Sequence, residues 1–344
     1  MFNSADLQLF SGGGGDTGFY PKTIDQSLRF NDNDSAYLSR TPSSAGNQKT
    51  WTWSGWVKRG NLGTLQGIFS TYPAPTPRNF SSLDFGTTDS LQFLNRTSGD
   101  VFTGQCITNA KFRDPSAWYH IVLAIDTTQA TSSDRIKLFV NGVAQSFSSA
   151  TYLGLNEDTD INSARATGLF AFPQPSSFFD GYVAEVHFCD GTAYTADDFG
   201  ELKNGIWVAK EPSVTYGTNG FYLNFSDSGA IGDDLSGNAN DWTANNLAAT
   251  DVVPDSPTNN FATLNLLKIY NAYPTYAQGN LQITQNTTST STASASTIGL
   301  TSSNVYFEVY MANIAVDENT VVGAVCDVVN PLWRGTGATL NLTG

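Results

Sequence analysis

Residues 118–126 read WYHIVLAID, and residues 136–143 read IKLFVNGV. The first is a nearly continuous apolar run, the pattern of a strand covered on both faces of a sheet. The second is rich in β-formers and ends in Asn141-Gly142. That dipeptide is the strongest hairpin signal in the chain, because both residues tolerate the positive φ that a two-residue turn needs. Val143 opens the return strand. Working outward, residues 50–57 (TWTWSGWV) put Trp51 and Trp53 on one face of a strand and Trp56 on the other. Residues 182–188 (YVAEVHF) alternate so that Tyr182, Ala184, Val186 and Phe188 share one face and Val183, Glu185 and His187 the other. Thr195–Leu202 reads as a short helical turn, with Thr195 as N-cap and acids in its first turn. The expected fold class is therefore all-β.

Composition agrees. The chain has 344 residues, which points to roughly two domains. Charged residues make up only 14 %, while 22 Phe, 14 Tyr and 7 Trp accompany abundant Ser, Thr, Asn and Gly. Short strands and polar turns suit this mixture better than amphipathic helices. The net charge of −14 repels polyanions, so nucleic-acid binding is set aside. Cys106, Cys189 and Cys326 are far apart and form no CxxC pair, which leaves buried free thiols as the reading. Residues 1–20 lack the basic start and apolar core of a secretion signal, and no stretch approaches the roughly 18 apolar residues of a membrane span. Neither ordinary secretion nor membrane insertion is expected.

Four segments in this order resemble the laminin-G-like, concanavalin A-like lectin family. They are SLRFNDNDSAYLSR (27–40), TWTWSGWVKRG (50–60), the 118–126 and 136–143 pair, and FDGYVAEVHFCDGTAYTADDF (179–199). The family often has Asp-Glu-Val in the last strand. Here Ala184 takes the Asp position and Glu185 remains, which removes any role that Asp would have had. The resemblance implies an antiparallel jelly-roll β-sandwich. FSDSGAIGDDLSGNANDWT (225–243) resembles an element that opens such domains, and NVYFEVYMANI (304–314) with VVGAVCDV (321–328) resembles the early strands of a SPRY-type sandwich.

The expected organisation is an N-terminal arm over 1–25, a sandwich over 26–211, a linker with an accessory strand over 212–262, and a second, incomplete SPRY-like β-sandwich over 263–344. This combination resembles virion appendage proteins of tailed bacteriophages, tail fibres among them. It implies a non-enzymatic structural and adhesion protein located in the virion. The arm, through Phe2, Leu7, Leu9 and Phe10 ahead of a glycine run, would dock to other virion proteins. A homo-oligomer is expected, a trimer by analogy with fibres. The alternative is a stand-alone carbohydrate-binding lectin-like protein, and a glycan-degrading enzyme ranks third.

For a host-surface glycan, the candidate contacts are aromatics in expected loops: Tyr72, Phe80, Tyr152, Phe178 and Phe179. Rings stack on sugar faces, and fixed polar groups add direction. His120 and His187 read as satisfied structural histidines, with Glu185 and His187 close enough to pair. A hydrolase would need a nucleophile on an exposed turn or two carboxylates flanking a groove. Glu157-Asp158-Thr159-Asp160 reads instead as a solvated loop. No cofactor and no metal is expected. Asn31-Asp32-Asn33-Asp34 and the group Asp233, Asp234 and Asp241 carry hard oxygens that suit calcium, but turn formation is the stronger reading of both.

Overall fold

The computed structural model describes residues 18–71, 79–97, 101–172, 176–270, 274–285 and 293–298. In chain order its strands begin with β1 (Ser27–Phe30), β2 (Tyr37–Arg40), β3 (Thr50–Arg59), β4 (Gln66–Thr71), β5 (Phe80–Phe85) and β6 (Leu91–Thr97). They continue with β7 (Val101–Thr108), β8 (Trp118–Asp126), β9 (Ile136–Val140), β10 (Val143–Ala144), β11 (Phe147–Thr151), β12 (Thr167–Leu169) and β13 (Gly181–Asp190). The later ones are β14 (Gly200–Lys203), β15 (Ile206–Ala209), β16 (Phe221–Leu223), β17 (Thr243–Asn245), β18 (Val252–Val253), β19 (Leu264–Tyr270), β20 (Pro274–Ala277), β21 (Gln282–Gln285) and β22 (Ala293–Ser296).

Two antiparallel eight-stranded sheets face each other. Sheet I runs β10-β9-β8-β3-β13-β1-β18, with β16 also paired to β13. Sheet II runs β11-β7-β6-β5-β4-β12-β2-β17. The fold is an all-β sandwich of the jelly-roll type. Trp51 and Trp53 enter the space between the sheets with Ile121, Leu123, Phe93, Leu83 and Phe188. The Trp51 ring meets Phe93 at 6.2 Å and Phe188 at 5.9 Å between centroids. The Asn141-Gly142 turn forms as its chemistry demands, with φ of 49° and 78°, and it pairs Val143 with Val140.

A second apolar layer covers the outside of sheet I. Trp56, Trp118, Tyr182 and Ala184 pack there with Ile24 and Ala209, and Val122 and Cys189 pack with Ala196 and Phe199. This is why residues 118–126 are apolar on both faces. The roof is built from residues 19–24, the β14-β15 hairpin and the 3-10 turn Ala196–Asp198. The helical turn expected over Thr195–Leu202 is confined to this 3-10 turn, since Gly200–Lys203 is β14, and Asp198 Oδ2 accepts from the Thr195 backbone N–H.

Three sequence expectations change. The alternation over 182–188 breaks at Glu185, whose φ is +52°, and the register against β3 shifts between Ala184 and His187. The bulge spends one residue, so Val183, Val186 and Phe188 face the core while Tyr182, Ala184, Glu185 and His187 face outward. β13 also changes partner here, from β1 to β16. Residues 212–262 are not a linker, because β16, β17 and β18 add strands to β13, β2 and β1 and so complete both sheets. Residues 18–25 belong to the sandwich too, with Ile24 buried and its backbone N–H bonded to Thr258 Oγ1. Phe2, Leu7, Leu9 and Phe10 lie outside the described residues, as do 304–314 and 321–328. The described part of 263–344 is two small sheets, β19 with β22 and β20 with β21.

Candidate functional site

Two places gather chemistry-bearing side chains. The first is under the roof on sheet I. Ser54 on β3 and His120 on β8 sit on outward-facing positions, and His120 Nε2 lies 2.9 Å from Ser54 Oγ. Trp207 Nε1, which can only donate, lies 3.0 Å from His120 Nδ1. That bond makes Nδ1 the acceptor and leaves the proton on Nε2, pointing at the serine. The imidazole therefore cannot take the Ser54 proton, and a donor stands where a nucleophilic triad needs an orienting carboxylate. Burial pushes His120 down to about 3, which keeps it neutral. Sequence reading missed Ser54. The signal lay in the diagonal between Trp56↔His120 and Ser54↔Val122, which needs the register.

Beside it, the Glu185 carboxylate accepts from Tyr222 Oη at 2.9 and 3.0 Å and pairs with Lys22 Nζ at 2.6 Å. His187 Nε2 stands 3.7 Å from it, and His187 Nδ1 meets Tyr216 Oη at 2.9 Å. The expected Glu185–His187 pair is thus present. Burial works to raise the Glu185 carboxyl, but His187 and Lys22 outweigh it and hold it below its ordinary value. Burial pushes His187 down against the pull of Glu185. The rings of His187 and Tyr222 stack at 4.4 Å. The carboxylate, the ammonium and the tyrosine hydroxyls of this cluster are answered inside the fold, which is the pattern of a structural network.

The second place is the outer face of sheet II. On β5, Leu83 and Phe85 point into the core, so Phe80, Ser82 and Asp84 point out; on β6, Phe93 points in, so Gln92, Leu94 and Arg96 point out. The register pairs Phe80 with Arg96 and Arg96 with Phe102. A row of ring, guanidinium and ring crosses three strands. The Arg96 guanidinium lies 5.3 Å from the Phe102 centroid, and Phe102 meets Phe80 edge-on at 6.4 Å. Phe102 is 38 % exposed and Val101 57 %. Leu94 and Gln105 form the next row. Deeper on the same face, the fully buried Asp84 is bonded to Ser82 Oγ and Gln92 Nε2, and burial pushes its carboxyl up to about 7.

The five expected ligand-binding aromatics separate by burial. Phe80 stands on the outer face of sheet II, on a strand and not in a loop. Phe178 packs on Tyr37 at 6.0 Å, and Tyr37 faces outward because its neighbour Leu38 is in the core. Tyr152 leans on the core. Phe179 is a correction: it is fully buried with Phe30 and Phe170 and cannot meet a ligand. Tyr72 lies outside the described residues. Phe102, which sequence reading missed, stands on an expected strand, where a ring signals core as readily as surface.

The acidic runs act as turns. Asp234 accepts from the backbone N–H groups of Tyr222, Ser236 and Asn240, and Asp241 accepts from that of Asp234. Among the described residues no group of three or more His, Cys, Asp or Glu stands together as a metal site, and no helix is long and apolar enough to cross a membrane. Cys106 and Cys189 are buried free thiols, and burial pushes both up to about 12.

With this topology in hand, the sequence comparison can be read: residues 31–198 match the model of the concanavalin A-like lectin/glucanases superfamily in its laminin G form. Solved structures similar to this chain include a Bacteroides ovatus protein described as carbohydrate binding (16 % identity, TM-score 0.45, 65 % of this chain and 59 % of that one). A Limulus polyphemus SAP-like pentraxin (12 %, 0.37, 50 % and 78 %) and domains LG4-5 of the mouse laminin α1 chain (11 %, 0.35, 54 % and 50 %) are similar too. The chain spans 59 % of the length of the Bacteroides protein. No curated protein matches the sequence.

Proposed function

We propose that this is a non-enzymatic, lectin-like protein that binds carbohydrate on the outer face of sheet II. The observation that carries the reading is the row Phe80, Arg96 and Phe102 across β5, β6 and β7. A pyranose offers an apolar face of C–H groups and a rim of hydroxyls. Rings answer the first, while the guanidinium and the Gln105 carboxamide answer the second. Sheet strands hold these groups in fixed spacing, so little ordering entropy is lost on binding. The non-enzymatic part is supported by the sealed Ser54–His120 pair and by the state of the acids, since Glu185 is buried against Lys22 and Asp84 is fully buried. Glycoside hydrolysis needs two carboxyls flanking an open groove.

The test is a glycan array followed by calorimetry with the best glycan. Phe102→Ala is expected to weaken binding about tenfold, equivalent to about 1.4 kcal/mol, with the fold intact. An array without hits, or unchanged affinity in the variant, would sink the reading.

A virion role with self-assembly is the second proposal. Exposed apolar side chains favour it. Leu202 and Ile206 on the β14-β15 hairpin are 69 % and 55 % exposed. Lys203 between them reaches the Gly18 carbonyl, within the span 1–25 expected as the arm. The purified chain should then be an oligomer that Leu202→Asp with Ile206→Asp dissociates in light scattering. A monomeric wild-type chain would oppose it.

A further inference from the structure

We propose that Lys58 and Asn260 join through an amide bond between their side chains, formed by the protein itself with Asp255 as the proton carrier. The inference is independent of the carbohydrate reading. Lys58 stands on β3, and its neighbour Val57 is in the core, so Lys58 points out of sheet I, beneath residues 254–261. It is fully buried there. Its Nζ lies 2.8 Å from Asp255 Oδ2, 2.8 Å from Asn260 Oδ1 and 2.7 Å from the Phe261 carbonyl oxygen. An amine, a carboxylate and a carboxamide thus meet at hydrogen-bond distance, with the amine sealed from water.

The three groups are held in a fixed relation. Asp255 Oδ1 accepts from Trp118 Nε1 at 3.2 Å and from the Phe261 backbone N–H at 3.3 Å, which leaves Oδ2 to the lysine. Asn260 Nδ2 donates to the Ser116 carbonyl at 2.8 Å, so the amide turns its oxygen toward Nζ and its nitrogen away. Asn260 is exposed, which gives a departing nitrogen a way out. The Tyr182 ring, 5.4 Å from Nζ, walls the lysine in. Burial pulls the Lys58 ammonium below the ordinary lysine range, against the opposing pull of Asp255 and Asp114. An ion pair is complete with Asp255 alone. The carboxamide aimed at the same nitrogen is what an ion pair does not require.

A desolvated lysine beside a carboxylate base is an activated nucleophile. Lys58 passes one proton to Asp255 Oδ2, and the Nζ lone pair attacks Asn260 Cγ, the carbon that carries the oxygen it already touches. The C=O electron pair moves onto Oδ1. Asp255 gives its proton to Nδ2 and takes a second one from Nζ. The Cγ–Nδ2 bond then breaks as the C=O bond reforms, and the second proton follows the departing nitrogen. One N–C bond forms and one C–N bond breaks. Ammonium leaves, Asp255 ends as the carboxylate it began as, and nothing is oxidised. Holding the reactants in contact replaces an encounter that is very slow in water. The bond closes a covalent ring from residue 58 to residue 260, with β4 through β18 inside it. Such a ring restricts the unfolded chain and so favours the fold.

The experiment is an intact mass of the full chain, purified and denatured, with its tryptic peptides mapped in parallel. The expected mass is one ammonia below that of the sequence. Residues 50–59 should be found joined to residues 211–268, the tryptic peptides that carry Lys58 and Asn260. Asn260→Ala, at an exposed position, should keep the near-ultraviolet circular dichroism, show no deficit and melt at least about 5 °C lower. Asp255→Asn should leave Lys58 and Asn260 unjoined, and Asn260→Ala supplies the answer where Asp255→Asn fails to fold. A wild-type mass equal to that of the sequence overturns the proposal. So does a deficit of one ammonia without joined peptides, as ring closure at Asn141-Gly142 would give. A deficit of one water, with the joint at Asp255, overturns the choice of Asn260. A folded Asp255→Asn chain that is still joined overturns the role of Asp255.

Discussion

Lys22 shows how far a single residue reaches in this fold. It stands ahead of β1, and its ammonium meets Glu185, a buried carboxylate on a bulge in the middle of sheet I. Removing one partner of a buried pair leaves an uncompensated charge, so Lys22→Met should lower unfolding free energy by about 3 kcal/mol in urea titrations. Adding Glu185→Gln should restore most of that loss, because the stranded charge is then gone. A single-variant loss below about 0.5 kcal/mol would mean that Tyr222 and His187 hold Glu185 without the lysine. Sequence reading found the Glu185–His187 pair, since residues two apart on a strand share a face. It did not find Lys22, which arrives from a segment read as arm. Phe178 and Phe179 carry the same lesson. They are adjacent and chemically identical, yet one packs on the outer face and the other lies in the core. Nothing local to a loop-to-strand junction decides which ring turns inward.

At the scale of elements, the strands legible in the sequence are the long ones with strong patterns. β3, β8, β9 and the Asn141-Gly142 hairpin fall where their residues place them. β13 was found, but its parity was lost at Glu185, because a bulge inserts one residue without a glycine to announce it. β16 is the accessory strand expected in 212–262, but β17 and β18 span three and two residues in a stretch that reads as linker. The last two are strands by virtue of pairing with β2 and β1, as β16 pairs with β13, each far away in sequence. A chain ended at residue 211 loses all three and bares the edges of those partners. It should form soluble aggregates in size-exclusion chromatography and lose its near-ultraviolet circular dichroism, as unpaired edges and an uncovered Phe188 dictate. A folded monomer with the full chain's Tm would restore the boundary at 211.

For the whole molecule, three deeply buried groups set opposing pH slopes. Asp84 and Asp180 are raised to about 7 and about 8, and His120 is lowered to about 3. A carboxyl raised in the folded state binds its proton more tightly there than in the unfolded chain. Its stabilisation is complete below about pH 4 and is lost as pH climbs through the folded value. The histidine acts in the opposite sense. The unfolded chain takes its proton near pH 6.5 and the folded one refuses it, so stability falls as pH drops from about 6.5 toward 3. Between about pH 4 and 6.5 two carboxyls oppose one histidine, so the slope is cut to that of about one proton and stability still falls as pH rises. Above about pH 6.5 the histidine contributes no slope, and the carboxyls alone remain. Wild-type protein should therefore lose stability from about pH 6.5 to beyond 8, at about 1.4 kcal/mol per pH unit for each proton still bound. Asp180→Asn should level the part of that decline above about pH 8, because Asp84 has almost finished titrating by then. Urea titrations at half-unit pH steps separate the cases. A decline that survives Asp180→Asn unchanged would place the buried proton elsewhere in the molecule.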